Sequence, residues 1–320
     1  MTELAATNDR ILIQEVGMRD GLQSAGSLIE TEDKLRLLNK LSTLGFDKIE
    51  VTSFVSPKAV PLLADAEAVL AGMIRDPAVT YTALVPNLRG MERALNTDID
   101  EVNVVMSVSE AHNLANLRMS CEASIAQFRD IRSSAGHLRV NGTLATAFGC
   151  PFTGLVDPNR VLEWGKRYLD VGIDSLTLAD TIGAATPRQI YQLVSIFKSA
   201  FPDLELTLHL HNTRGLGIAN ALAGIAAGVR RFDASFGGIG GCPYAPGATG
   251  NVCTEDLVHA LQFDGYSCNV DLAGLIGVTN DLELLLPGEL PGLVRCSGTK
   301  EQTHPMSEQL QQMLLEVQRG

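Results

Sequence analysis

The chain has 320 residues, of which 45% are hydrophobic and 19% charged, as in an ordinary globular enzyme with a large buried core. Its net charge of −12 argues against nucleic acid as a partner, because phosphate binding needs a concentrated basic face. Six scattered cysteines without a C-x-x-C pair argue against a disulfide framework or a zinc ribbon and favour reduced thiols.

The first ten residues are polar and contain neither an apolar core nor an arginine-rich amphipathic pattern. We therefore expect no signal or transit peptide. No apolar run approaches the length that spans a bilayer, so we expect no membrane partner. Together these features predict a cytoplasmic protein.

Short apolar segments alternate with longer amphipathic ones along the whole chain. The predicted strands are residues 11–15, 48–52, 80–85, 101–107, 140–147, 175–179, 205–211 and 231–236. Most are rich in Val, Ile, Leu and Thr, as is typical of buried parallel strands. Helix signals lie between them: Thr31 begins one helix, and Pro158 and Pro187 occupy first-turn positions of two more.

Eight such alternations predict an α/β protein that forms a closed (β/α)8 TIM barrel over residues 1–269. An open doubly wound sheet is the alternative, because a sequence does not show closure. Residues 270–320 carry helical patterns and no clear further strand. They predict a C-terminal helical extension packed on the barrel.

Two charged residues follow the first predicted strand, where Arg19 and Asp20 stand between Gly17 and Gly21. Catalytic groups of an α/β barrel project from the C-terminal ends of its strands. Asp20 is therefore a candidate hard oxygen ligand for a metal, and Arg19 a candidate clamp for an oxyanion. A solvated surface turn is the alternative interpretation.

The seventh predicted strand ends with His209 and His211. Residues two apart on a strand point to the same side, so the two imidazoles are candidates to chelate one metal ion. A single histidine here would more often be a core residue. The pair favours metal binding.

A glycine-rich run follows the eighth strand over residues 237–251, and such a run can approach a ligand closely or move as a lid. Cys242 within it is a candidate proton donor, with a packed thiol as the alternative. Asn251 is either a neutral oxygen ligand or the cap of the helix that begins near Thr254.

Two further carboxylates end predicted strands. Asp180 is a candidate to orient Arg19 or relay protons, or else an ordinary turn residue. Glu50 is more typical of a salt-bridge partner inside the barrel. The ligand set of Asp, His, His and Asn contains no thiolate, which suits Mg²⁺ or Mn²⁺.

These motifs resemble the 3-hydroxy-3-methylglutaryl-CoA lyase family, in order, from about residue 11 to 265. The resemblance is carried by Arg-Asp-Gly-Leu-Gln at 19–23, Thr-Ser-Phe-Val-Ser-Pro-Lys at 52–58, Asp-Thr-Ile-Gly at 180–183, His-Leu-His-Asn at 209–212, Gly-Gly-Cys-Pro-Tyr at 240–244 and Thr-Glu-Asp-Leu at 254–257. The glycine–cysteine segment is the most specific of these. The Arg-Asp-Gly and His-x-His elements occur more widely among metal-dependent lyases, aldolases and condensing synthases.

The resemblance implies a role for each candidate. The implied metal ligands are Asp20, His209, His211 and Asn251. The implied catalytic residues are Arg19, Asp20, His209, Cys242, Asp180 and Glu50, with Arg19 stabilising an enolate. Substrate binding is assigned to Arg19, Gln23 and Asn251.

The same resemblance implies a divalent-metal-dependent lyase that cleaves 3-hydroxy-3-methylglutaryl-CoA to acetoacetate and acetyl-CoA in a retro-Claisen sense, with Asp20 or His209 as the base. It also implies a small acyl-CoA substrate and allows a homo-oligomer. The alternatives are another 3-hydroxyacyl-CoA such as citramalyl-CoA, a condensing synthase of the isopropylmalate type, and a non-catalytic acyl-CoA-binding paralogue. The sequence departs from the family pattern at residues 24–26, 105–110 and 148–152, where the acyl group of the substrate would be recognised.

Overall fold

A computed structural model describes residues 10–241, 250–303 and 305–318. Its parallel strands close into one barrel in the order in which they occur along the chain. They are β1 (Leu12–Glu15), β2 (Lys48–Ser53), β3 (Thr80–Leu84), β4 (Glu101–Ser107), β5 (Arg139–Ala145), β6 (Ser175–Asp180), β7 (Leu206–Leu210) and β8 (Arg231–Ala234). The predicted TIM barrel is confirmed, and the open-sheet alternative is wrong because β1 pairs with β8.

The predicted strands agree closely with the observed ones. The largest differences are at the ends of β5 and β8, which stop at Ala145 and Ala234 rather than at residues 147 and 236. After β8 the chain enters a short 3₁₀ turn, Phe236–Gly238, instead of extending the sheet.

Helices surround the barrel. They are α1 (Thr31–Leu41), α2 (Ala66–Gly72), α3 (Leu88–Ala94), α4 (Glu110–Leu117), α5 (Cys121–Ser134), α6 (Pro158–Asp170), α7 (Pro187–Ala200), α8 (Gly217–Ala226), α9 (Thr254–Phe263), α10 (Leu272–Glu283), α11 (Val294–Ser297) and α12 (Glu308–Val317). The proline signals lie where the sequence predicts, since Pro158 and Pro187 each begin a helix. Thr186 and Gln189 add a capping box to α7.

Strand alternation separates the two sides of the barrel wall. On β4, Val102, Val104 and Met106 are fully buried in the hydrophobic core. Glu101 and Asn103 lie on the other side of the strand, where they contact polar side chains of β2. The inside of the barrel is therefore polar at both of its ends.

The C-terminal region is helical, and its three helices differ in packing. Helix α10 contacts α1 and α9 and buries Leu275, Val278 and Leu282. Helix α11 contacts α9, whereas α12 has no buried residue. Among the helices of the described ranges, none is both long and apolar enough to cross a membrane.

Candidate metal centre and active site

The site begins where β1 ends. The chain there makes a π-helical turn, Gly17–Gly21, in which the Asp20 N–H donates to the Val16 carbonyl at 2.7 Å. A Cβ on Gly17 would lie 2.4 Å from the Phe236 ring, and one on Gly21 would lie 2.5 Å from Ile239. Only glycine fits at these two points, so the turn packs closely and presents its two charged residues at the mouth of the barrel. Single π turns are frequent at functional sites.

Arg19 is fixed by two carboxylates. Its Nε donates to Glu50 Oε2 and its Nη1 to Asp20 Oδ1, both at 2.6 Å. Asn103 Nδ2 donates to the other Glu50 oxygen at 2.7 Å. Burial alone would lower the pKa of Arg19, but the Glu50 and Asp20 carboxylates raise it. The guanidinium is therefore a permanent cation, and Glu50 is its partner inside the barrel.

Three candidate ligand atoms converge beside this cation. His209 Nε2 lies 3.1 Å from His211 Nε2 and 4.0 Å from Asp20 Oδ2. Two neighbouring ligands at about 2.1 Å from an octahedral ion are about 3 Å apart, so the imidazole spacing fits such an ion. Within the described residues, Asp20, His209 and His211 form a cluster able to hold a metal ion.

Asn251 completes the arrangement from the far side of the glycine-rich segment. Its backbone forms a bridge with His211, and its Nδ2 donates to Asp20 Oδ2 at 2.7 Å. Among the described residues, its buried Oδ1 has no hydrogen-bond partner, as expected of a neutral oxygen ligand. Helix α9 has Cys253 at its N-cap without a side-chain cap, so Asn251 does not cap that helix.

A residue that the sequence analysis missed orients His209. Asp233 on β8 places Oδ2 3.1 Å from His209 Nδ1, which leaves Nε2 facing Asp20 and His211. A carboxylate behind a metal-binding histidine fixes the ring and its tautomer. The available signal was its alternation with Phe232 and Ala234, which puts Asp233 on the inner face of a strand.

Two of the three candidate ligands have protonation states that suit a cation. Burial raises the pKa of Asp20, but Arg19 and the two histidines lower it to about 2 overall. Burial, together with His209, lowers the pKa of His211 to about 4. Burial lowers the pKa of His209, but Asp233 and Asp20 raise it above its ordinary value. At neutral pH Asp20 is thus an anion and His211 a neutral base, the forms that bind metals.

The remaining candidates lie around this centre. Asp180 ends β6 and accepts the N–H groups of Ala184 and Ala185 at 2.9 and 3.1 Å, as a turn residue does. No hydrogen bond joins it to Arg19 within the described ranges. Gln23 is half-buried just beyond the π turn. Cys242 lies outside the described residues.

The two described ends of the glycine-rich segment lie close together. A Cβ on Gly250, whose φ is 51°, would lie 2.0 Å from the Gly238 carbonyl oxygen. A Cβ on Gly240, at φ 113°, would lie 2.5 Å from Asn251 Nδ2. Glycine is required at both points because of the backbone angle and the close approach. The beginning of the segment therefore packs against its end, beside the candidate metal ligand Asn251.

Comparisons with known proteins agree with this geometry. The HMGL-like family model matches residues 10–282. A hydroxymethylglutaryl-CoA lyase from Bacillus subtilis is 42% identical over 284 residues, which cover 88% of this chain and 95% of that protein. An (R)-citramalyl-CoA lyase from Chloroflexus aurantiacus is 37% identical over 305 residues, which cover 91% of this chain and 95% of that protein.

A solved structure is similar to this chain over most of its length. The HMG-CoA lyase from Acinetobacter baumannii, in complex with coenzyme A and 3-methylmalate, superposes with a TM-score of 0.91 at 46% sequence identity. The match covers 94% of this chain and 99% of that one. The similarity thus extends over the barrel and part of the C-terminal helical region.

Proposed function

Since the chain belongs to the HMGL-like family, we propose that it cleaves 3-hydroxy-3-methylglutaryl-CoA to acetoacetate and acetyl-CoA with the help of Mg²⁺ or Mn²⁺. Its class, a carbon–carbon lyase, follows from the family and from relatives named as such lyases. The choice of acyl group rests on those relatives and on the neighbouring structure that holds coenzyme A.

One observation carries the proposal: a cation site and an oxyanion partner share the mouth of the barrel. Asp20 Oδ2 and the two histidine Nε2 atoms face one another, and Arg19 Nη1 lies 2.6 Å from the other oxygen of Asp20. A retro-Claisen cleavage needs both elements, because an alkoxide and an enolate develop on adjacent parts of one substrate. The metal and the guanidinium would each stabilise one of these charges.

Each residue of the candidate site has a proposed role in this reaction. Asp20, His209, His211 and Asn251 would hold the ion, which supplies Lewis acidity toward the 3-hydroxyl and carboxylate oxygens. Asp20 is the proposed acceptor of the hydroxyl proton. His209, the other candidate base, could accept it only if its Nε2 did not hold the ion, because Asp233 occupies its Nδ1. Arg19, held by Glu50, would stabilise the enolate oxygen of the departing acetyl-CoA. Cys242 is proposed to protonate the enolate carbon.

A second acyl group has specific support. The (R)-citramalyl-CoA lyase relative covers nearly the whole chain at 37% identity, and its substrate differs by one methylene in the acid arm. The same two charges develop when citramalyl-CoA is cleaved to pyruvate and acetyl-CoA. The ligand set alone therefore does not separate the two substrates.

The test is a product assay with both thioesters in the presence of Mn²⁺. We expect acetoacetate and acetyl-CoA from 3-hydroxy-3-methylglutaryl-CoA, with kcat/KM at least about tenfold above the value for citramalyl-CoA, the discrimination that one methylene typically gives. Pyruvate as the dominant product would move the assignment to the second substrate. No cleavage of either, by protein that binds Mn²⁺, would overturn the proposed lyase activity on these substrates.

A further inference from the structure

Glu15, the last residue of β1, is a carboxylate that the lyase chemistry does not use. It is fully buried, with 0% of its surface exposed. It forms no ion pair with the described basic residues. Burying an isolated carboxyl group is costly unless hydrogen bonds satisfy it. The hydrogen-bond partners of Glu15 therefore indicate its role.

Those contacts join three separate segments. Glu15 Oε1 accepts the N–H of Gly17 at 2.7 Å and that of Phe236 at 3.0 Å. Glu15 Oε2 accepts a hydrogen bond from the Thr254 hydroxyl at 2.7 Å. One side chain therefore connects the π turn, the 3₁₀ turn after β8 and the first residue of α9.

Each connected segment leads directly into the metal centre. Three residues after Gly17 comes Asp20, and three residues before Thr254 comes Asn251. Phe236 immediately precedes the glycine-rich segment, and its ring lies where any side chain at Gly17 would have to go. Asp20 and Asn251 are in turn joined by the 2.7 Å hydrogen bond between their side chains.

We propose that Glu15 is a positioning residue that sets the separation of Asp20 and Asn251 by fixing the π turn to both ends of the glycine-rich segment. Its carboxyl group accepts hydrogen bonds from the backbone amides of Gly17 and Phe236. It therefore fixes the main chain of both turns. Metal–ligand distances lie within about 0.2 Å of their usual values in well-formed sites, so a shift of either segment would move a ligand atom away from its place. Loss of Glu15 should therefore weaken the ion's binding before any substrate is present.

The chemistry of the carboxyl group supplies a matched substitution. Burial raises the pKa of Glu15 from 4.5 to about 8 despite its three hydrogen bonds, so its neutral form is favoured at pH 7. Glutamine has the shape of that neutral form: its oxygen accepts from the two amides, and its N–H donates to the Thr254 hydroxyl, which then accepts instead of donating. Glu15→Gln should thus keep all three contacts, and Glu15→Ala should lose all three.

The experiment measures Mn²⁺ binding by electron paramagnetic resonance for wild type, Glu15→Gln and Glu15→Ala, without substrate. The control is Glu101→Ala, which removes an equally buried carboxylate (1% exposed) at the opposite end of the barrel. We expect Glu15→Ala to raise the Kd for Mn²⁺ about 10–100-fold, the usual effect of losing support behind a metal ligand. Glu15→Gln should stay within about threefold of wild type, and Glu101→Ala should lose thermal stability with an unchanged Kd.

The proposal rests on the metal centre of the proposed function, and the binding assay separates the two. A wild-type Kd retained by folded Glu15→Ala overturns the positioning role even if the lyase assay succeeds. Weakened binding in Glu15→Ala supports it even if the chosen thioester is not cleaved. Wild-type protein that binds no Mn²⁺ overturns both. Should Glu15→Ala fail to fold, Glu15→Asp, which is too short by one methylene to reach both amides, takes its place with the same expected result.

Discussion

The two ends of the barrel both bury charged side chains, and they do so differently. At the N-terminal end, Lys48 pairs with Glu101, Arg139 lies 3.2 Å from Glu205 and 3.9 Å from Glu101, and Arg231 lies 3.3 Å from Glu205. Each carboxylate there has a basic partner. The charges alternate in sign from β2 to β8, so Glu101 and Glu205 each lie between two basic side chains.

At the C-terminal end the balance is acidic. Asp20 and Glu50 hold one guanidinium, that of Arg19, and Asp233 lies behind His209. His211 and Asn251, two neutral ligand candidates, each bury an atom that has no hydrogen bond within the described part of the chain. An excess of anions and unpaired donors or acceptors is costly in a folded protein unless a cation or substrate offsets it. The same scaffold therefore pairs its charges at one end and leaves an excess of carboxylates around the candidate site at the other.

The largest effect is expected from Arg19→Gln at the acidic end. Losing an oxyanion partner typically costs about 10²–10³ in rate, so kcat should fall at least that far while the fold and Mn²⁺ affinity remain. Steady-state kinetics beside Mn²⁺ titration measures both. Near-normal turnover in the variant would show that Arg19 has only a structural role.

Asp233→Asn should have the next largest effect. The amide no longer holds His209 in the tautomer that presents Nε2 to the ion, and changes of this kind typically cost about 10–100-fold in metal affinity. Calorimetric titration with Mn²⁺ tests this. An unchanged Kd would mean that the His209 ring is fixed by its packing alone.

Lys48→Met tests the N-terminal end of the barrel, where charge is expected to affect stability and not activity. Removing one partner of a buried ion pair commonly costs about 3 kcal/mol in unfolding free energy, although Arg139 partly compensates Glu101. Urea denaturation should show the loss, and kcat/KM at 25 °C should stay within about twofold of wild type. A loss of activity as large as that of Asp233→Asn would remove the functional distinction between the two ends.

The last prediction concerns the pH dependence of stability. Burial raises the pKa of Glu15 from 4.5 to about 8, so the folded state binds an extra proton between these values. Its stability should therefore fall as pH rises from about 5 to 8. Glu15→Gln lacks this loss, and its advantage in unfolding free energy over wild type should grow across that range and then level off. A constant difference would show that Glu15 is ionised throughout.

Much of this site was visible in the sequence because it lies at strand ends. Periodicity located the strands, and the period-two spacing of His209 and His211 predicted their common face. The structure brings Arg19, Asp20 and Asn251 to the same point. The metal-binding and catalytic roles of these residues, like the division of the chain near residue 270, remain predictions.

Asp233 and Glu15 were not predicted, and for a shared reason. Asp233 reaches from β8 to His209 on β7, and Glu15 reaches from β1 to the turn after β8. The pairing of neighbouring strands creates these contacts, and the pattern within one strand does not identify the partner. The π turn after Glu15 was equally hidden, because its glycines fit any tight turn.

The most direct test of the account is the dependence of cleavage on the ion at the acidic end. The enzyme is stripped with EDTA, assayed on 3-hydroxy-3-methylglutaryl-CoA, and assayed again after Mg²⁺ or Mn²⁺ is returned, with His211→Ala treated in parallel. We predict that the wild type loses activity and regains it with metal, whereas the variant regains little at the same metal concentration. Full activity in protein shown by elemental analysis to be metal-free would contradict the account.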